Sequence, residues 1–313
     1  MQLRTIESLT TNHLIMTIRY IFVSFILLIS SSIKGQDIDL NKMMEDDQSK
    51  KNSGKQYTER TFLSTRLVNG HSIENLTPGI LDFRISHRFG QLNSGFYQLF
   101  GLDNATMRMG LDYGVTRNLM IGVGRSTYQK QYDAFLKYKL LSQTDEKGGM
   151  PISVSWLSSV MLNSLKWENP ARKNYFSSRL YYAHQLLIAR KFSEGTSIQL
   201  MPTMVHYNLV QGSNDPNDLF SVGIGAKQSI SKRVSLNAEY YYQLPDTRFE
   251  GTRNSLSFGV DIETGGHVFQ LHITNSPGMT ERTFINETFG QWGKGDLLFG
   301  FNISRVFSLK KSK

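Results

Sequence analysis

The chain carries seven histidines and no cysteine, and these counts bound its chemistry. Without cysteine there is no disulfide, no thiolate zinc site and no thiol for a lipid anchor. His267 and His272 lie five residues apart on one predicted strand, so they face opposite sides and do not share an ion. His87, His184 and His206 fall on the apolar faces of their predicted strands, the placement of an interfacial histidine beside aromatic rings. No metal and no cofactor is therefore expected. A hydrolase working at a membrane surface needs a serine and a histidine on the outer face of neighbouring strands, with a polar group to orient the base. His184 and Ser178 share a face, but six residues of extended chain separate them by about 20 Å. His206, one strand further on, approaches Ser178 across the ladder. It keeps a membrane-embedded lipid hydrolase as the alternative reading. Gly122-Val123-Gly124 is no phosphate loop, because no helix follows it.

The charges on strand faces say more. Asp82, Arg84, Arg88, Arg108, Asp112, Lys137, Lys139, Arg179, Glu239, Asp261 and His272 are expected on faces opposite the apolar ones. Both signs are represented. Inside a barrel of about twelve strands such groups either line a narrow polar pore or neutralise one another in a plugged interior. Arg84, Arg108, Lys137 and Lys139 would form a cationic constriction beside Asp82 and Asp112 if they stood at one level. The expected function is non-enzymatic: a narrow pore for small polar or anionic solutes, or a structural or assembly role.

The elements that hold these residues are strands. From Gly79 to Phe307 the sequence reads as about twelve segments of alternating apolar and polar residues, about ten residues each. In segment 80–89, Leu81, Phe83, Ile85 and Phe89 share one face, and Asp82, Arg84, Ser86 and Arg88 the other. Segment 132–141 sets Leu136, Tyr138 and Leu140 against Lys137 and Lys139. Segments 175–192 and 197–209 read as long strands, and the last runs over 296–309. The connections at 115–118, 193–196, 231–233 and 264–266 have the length and chemistry of hairpin turns. Those at 90–105, 163–174, 210–218, 245–254 and 275–295 are longer. Short turns at one end and long loops at the other are the sidedness of an antiparallel transmembrane β-barrel of outer-membrane type, with the turns periplasmic. The connections at 142–151 and 128–131 fit this sorting less well.

Both chain ends fit the same picture. Arg19 precedes the apolar run 20–29, and small polar residues follow, which together describe a signal peptide over residues 1–36. That run is shorter than the roughly 20 residues a spanning helix needs. Met16 makes residues 1–15 a candidate for an upstream misannotated start. Residues 37–78 read as a flexible periplasmic segment, polar over 37–60 and with one short strand over 62–68; the barrel itself is placed over 79–309. Phe299, Phe301, Ile303 and Phe307 share one face of the final strand, an amphipathic pattern with a near-terminal aromatic like that read by the barrel-insertion machinery, although Lys310-Lys311-Ser312-Lys313 runs past it. The formal charge of +9 is scattered through strands and loops with no basic helix. Nucleic acid is accordingly not an expected partner; outer-membrane lipids and the insertion machinery are.

Several stretches resemble a family of outer-membrane β-barrel proteins of unknown function from Bacteroidota. They are residues 79–90, beginning Gly79-Ile80-Leu81-Asp82-Phe83-Arg84; Phe100-Gly101-Leu102-Asp103; residues 263–272, beginning Glu263-Thr264-Gly265-Gly266-His267; and Gly300-Phe301-Asn302-Ile303-Ser304-Arg305-Val306-Phe307. The resemblance covers most of residues 60–310. It implies a membrane-bound barrel and carries no catalytic residue.

Overall fold

Twelve antiparallel strands close on themselves in sequence order. The computed structural model describes residues 57–309 other than 147 and 168. The strands are β1 (Ile80–Gln91), β2 (Ala105–Gly114), β3 (Leu119–Ser126), β4 (Tyr132–Leu141), β5 (Ser153–Leu162), β6 (Leu180–Lys191), β7 (Thr196–Tyr207), β8 (Asp218–Ser229), β9 (Val234–Gln243), β10 (Ser255–Thr264), β11 (His267–Thr274) and β12 (Leu298–Ser308). Closure is made by β1 on β12, in register from Ile80 opposite Ser308 to Arg88 opposite Gly300. Among the described residues no sheet edge is left for another chain to extend.

The alternation decides which face meets what. Leu111, Ile121, Val123, Leu136, Trp156, Ile224, Phe258 and Leu271 point outward and are exposed, while Asp82, Arg88, Asp112, Lys137 and Glu239 point inward and are buried. A soluble sandwich would bury the first set. An apolar outer wall around a polar interior is the arrangement a bilayer stabilises. The tight turns do their part at one end: Thr264-Gly265-Gly266-His267 reverses the chain with positive φ at both glycines, 36° and 84°. Glycine meets that demand at little steric cost. We call this the short-turn end and the opposite one the long-loop end.

Three features differ from the sequence expectation. The sixth strand begins only at Leu180, because Phe176–Arg179 forms a 3-10 turn. The connection from β11 to β12 is not a plain loop but carries a short helix, α1 (Glu281–Asn286), closed at its start by a Thr280–Thr283 capping box. Residues 57–78, expected as part of a flexible segment with one short strand, instead rise into the lumen, and no strand forms over 62–68. The signal peptide, the polar stretch up to residue 56 and the last four residues lie outside the described residues.

The interior is therefore filled. Phe62, Leu67 and Ile73 of the inward segment pack with Phe284 and Ile285 of α1 against Leu187, Ala189, Met201 and Tyr241 of the wall. A second apolar cluster joins Met161, Tyr181, Ala183, Val205, Tyr207 and Leu219 across β5 to β8. One half of the lumen is thus an apolar core, and the half formed by β1, β2 and β9 to β12 is polar.

Candidate functional site

The inward segment is a hairpin built by its own backbone. Ser72 N donates to Thr65 O at 3.0 Å, and Leu67 N donates to Gly70 O at 2.8 Å. Its tip, Leu67-Val68-Asn69-Gly70, reaches the polar half of the wall. There the Glu239 carboxylate accepts from three successive backbone amides: Val68 at 3.2 Å, Asn69 at 2.8 Å and Gly70 at 3.0 Å. Successive amides of a tight turn converge in this way on an anion. The tip carbonyls are taken too: Gln270 Nε2 donates to Leu67 O and Asn302 Nδ2 donates to Val68 O. Arg88 Nη2 donates to Asn69 Oδ1 at 2.7 Å, and Asn69 Nδ2 donates to Ser257 Oγ at 2.9 Å. Across the lumen Gln199 Nε2 holds His71 O at 2.8 Å, and Lys137 Nζ holds Ser72 O at 3.0 Å and also Glu74 O.

From the long-loop end α1 descends to meet this hairpin. Glu281 Oε1 lies 3.8 Å from Arg66 Nη1 and 3.6 Å from His71 Nε2. Its other oxygen accepts from Ser159 Oγ of β5 at 3.3 Å. Arg282 pairs with Glu287 at 2.6 Å and stacks over Tyr181 with 3.8 Å from guanidinium carbon to ring centroid. Gln131, just before β4, donates to Thr280 Oγ1 at 2.6 Å and accepts from Arg282 Nη1. The two inserted segments touch in mid-lumen, and each is tied to the wall. At the long-loop rim, Asp296 accepts from Gln291 N and from Asn93 Nδ2 of the β1–β2 connection. Those hydrogen bonds hold its carboxyl below the usual carboxylate range.

The charged residues read from the sequence occupy this interior in different ways. Asp82 pairs with Arg84 at 3.3 Å and accepts from Ser304 Oγ; Arg84 also reaches Ser64 Oγ and Thr65 Oγ1 of the hairpin. Arg108 makes a two-pronged bond to Asp133, 2.9 Å through Nε and 2.5 Å through Nη2. Asp112 is buried, and neither of its oxygens has a hydrogen-bond partner among the described residues. Asp261 accepts from Gln270, and His272 is buried with no hydrogen bond to either ring nitrogen among the described residues. Lys139 is half-buried two residues below Lys137. Arg179 departs from expectation: it sits in the 3-10 turn before β6, its guanidinium 3.5 Å over the Trp167 ring, and not on a strand's inner face. The expected cationic constriction also fails to appear as a lined opening. Arg84 and Lys137 are clamps on the hairpin, and Arg108 is committed to Asp133.

Sequence reading passed over Arg66, His71, Asp133, Lys227, Glu263, Glu281 and Arg282. Asp133, Lys227 and Glu263 were within reach by parity along their strands. Arg66 and Glu281 lie outside any strand, so no alternation points to them. One signal for a filled lumen was present: β5, β6 and β7 are apolar on both faces, with Leu157 and Met161, Leu187 and Ala189, and Met201 and Val205 pointing inward. Phe299, Phe301, Ile303 and Phe307 lie on the outer face of β12; Phe301 stacks on His87 at 4.8 Å.

On the outer wall His206 does have a polar orienter, with Nδ1 at 2.7 Å from Asp218 Oδ1. Its Nε2 faces Asn208 Oδ1 at 3.1 Å and not a hydroxyl. Ser178, the expected nucleophile, lies in the 3-10 turn with Arg179.

A family model described as "Membrane bound beta barrel domain (DUF5777)" matches residues 62–307, from the inserted hairpin through β12. No curated protein matches the sequence. Among solved structures, the NanC porin aligns at 10% identity with a TM-score of 0.44, over 74% of this chain and 100% of that one. The KdgM porin aligns at 10% identity and 0.42, over 73% and 99%. The outer membrane phospholipase A of Escherichia coli aligns at 11% identity and 0.43, over 81% and 100%.

Proposed function

The chain belongs to this family of membrane-bound β-barrels, and we propose that it is a non-enzymatic barrel of a bacterial outer membrane, shut at rest, with a structural or assembly role. The single observation that carries the reading is the meeting of two inserted segments, Arg66 and His71 from one end against Glu281 from the other, within a lumen that also holds an apolar core. A resting path for solute would have to cross both. Fully burying a leucine, isoleucine or phenylalanine stabilises by about 1.5–3 kcal/mol. The five such side chains that the two segments bring to that core make spontaneous clearing of the whole lumen rare.

One observation favours a second reading, a gated conduit for small polar or anionic solutes. The hairpin is continuous with β1 at the short-turn end, where the chain also enters the lumen. Tyr57 bridges to Thr144 in the β4–β5 connection there. Pulling the hairpin back would break its contacts without breaking the barrel. Purified protein in liposomes separates the readings. The shut barrel predicts no swelling with sugars or small organic anions; swelling by the wild type would favour the conduit. Phospholipid ester hydrolysis in mixed micelles, lost in His206→Ala, would overturn the non-enzymatic reading.

A further inference from the structure

Four arginines converge on one internal cavity. It measures about 10 Å³ and is bounded by Arg66 of the hairpin, Arg84 and Arg88 of β1 and Arg108 of β2. Ser86, Asn69 and two apolar side chains complete the lining. All four guanidinium groups are buried, from 1% exposed at Arg88 to 6% at Arg66. Three have a carboxylate nearby: Asp82 for Arg84, Asp133 for Arg108 and, at 3.8 Å, Glu281 for Arg66. Arg88 has none within ion-pair distance among the described residues. Its Nη atoms donate to neutral oxygens of Asn69, Asn302 and His87. The Nε atoms of Arg66, Arg84 and Arg88 have no hydrogen-bond partner among the described residues.

The donor and acceptor balance of this lining selects its occupant. A guanidinium offers N–H donors and no acceptor. Against the four guanidiniums the lining sets two side-chain acceptors, Ser86 Oγ and the Asn69 side-chain oxygen, the latter already accepting from Arg88. A water placed there brings two further hydrogens to a site where donors already outnumber acceptors. A monatomic anion brings none and accepts from every side. A space of about 10 Å³ is close to the least that holds one water, which favours a single small anion over a large one. We propose that this cavity is a binding site for a single halide-sized anion, held between the hairpin and the β1–β2 wall. Met279, two residues before α1, closes the site. An anion here would bridge all three parts of the interior and lock the hairpin in place. Asp112 lies outside the lining, and its buried carboxylate acts through space on Arg66 and Arg108.

The site is independent of whether the barrel conducts. A bromide peak in a wild type that also conducts would overturn only the shut-barrel reading. The test uses the whole protein in detergent. Crystals grown in bromide should show one anomalous peak among the four guanidiniums. Thermal unfolding in chloride should have a higher midpoint than in gluconate at equal ionic strength, since gluconate is too large to enter. Arg88→Gln should lose both effects, and Arg88→Lys, which keeps one charged donor, should retain a weakened halide dependence. An ordered water with no bromide signal in the wild type would overturn the proposal, even if Arg88→Gln failed to fold. So would a halide effect of the same size in Arg88→Gln and wild type.

Discussion

Removing the Glu239 carboxylate should free the tip of the inserted hairpin while leaving the barrel intact. The carboxylate is 1% exposed and accepts from Val68, Asn69 and Gly70 at 3.2, 2.8 and 3.0 Å. Hydrogen bonds to a charged group contribute about 1.5–3 kcal/mol each, but three made by one group do not add fully. Losing all of them in Glu239→Ala, with three buried amides orphaned, should cost local stability about 3–5 kcal/mol, the scale for breaking a buried charge contact. At about 1.4 kcal/mol per decade that corresponds to roughly two to three and a half decades of faster amide exchange. Hydrogen exchange read by mass spectrometry on peptides spanning residues 67–70 measures it, with the β7 and β8 amides as internal control. Glu239→Gln keeps one carbonyl oxygen and should lose about half as much. Unchanged exchange at the tip in Glu239→Ala would refute the argument. A loss of protection that spread equally through β7 and β8 would refute the claim that the hairpin opens as a separate unit.

Other expectations follow from single contacts. Leu67→Ala empties a fully buried position in the apolar core and should cost about 2–5 kcal/mol in denaturant unfolding, with most of the loss seen as hairpin exchange. A Cβ at Gly70 would collide with Tyr241 Oη, so Gly70→Ala should destabilise by about 1–3 kcal/mol; a neutral result in thermal unfolding would mean that the ring moves freely. The Asp296 carboxyl is held below its ordinary value by Gln291 N and Asn93. Its clasp should be fully present above the unfolded carboxylate value of about 3.9 and lost as pH falls through the folded one. Asn93→Ala should bring that titration back toward the ordinary range, as NMR titration of the side chain would show.

Most of the wall was legible in the sequence, because period-2 alternation decides both strand identity and facing. Lys137 and Glu239 stand on the inner face, as parity places them, and the hairpin turn at Gly265-Gly266 falls where its residues put it. The contents of the barrel were not legible. The stretch 62–68 reads as a short strand, but it joins no sheet. The hairpin holds its shape through Ser72–Thr65 and Leu67–Gly70 backbone bonds and through partners more than a hundred residues away, such as Glu239 and Gln270. A segment stabilised by such distant side chains looks, on its own, like polar linker. Alternation alone therefore leaves a lined pore and a plugged interior both open for these charges, and it does not show that several of their partners belong to an inserted segment. Arg179 went astray for a local reason: alternation was extended across the 3-10 turn at Phe176–Arg179, where parity has no meaning.

Ion conductance of the purified full chain in a planar bilayer tests the shut lumen most directly. Wild type should insert without measurable current at moderate potential of either sign. A variant that lacks the hairpin tip at residues 66–71 and in which α1 is replaced by a short glycine-serine link should give discrete, stable current steps, and either change alone should give little, because each segment still blocks the path. Steady single-channel current from the wild type would contradict the account.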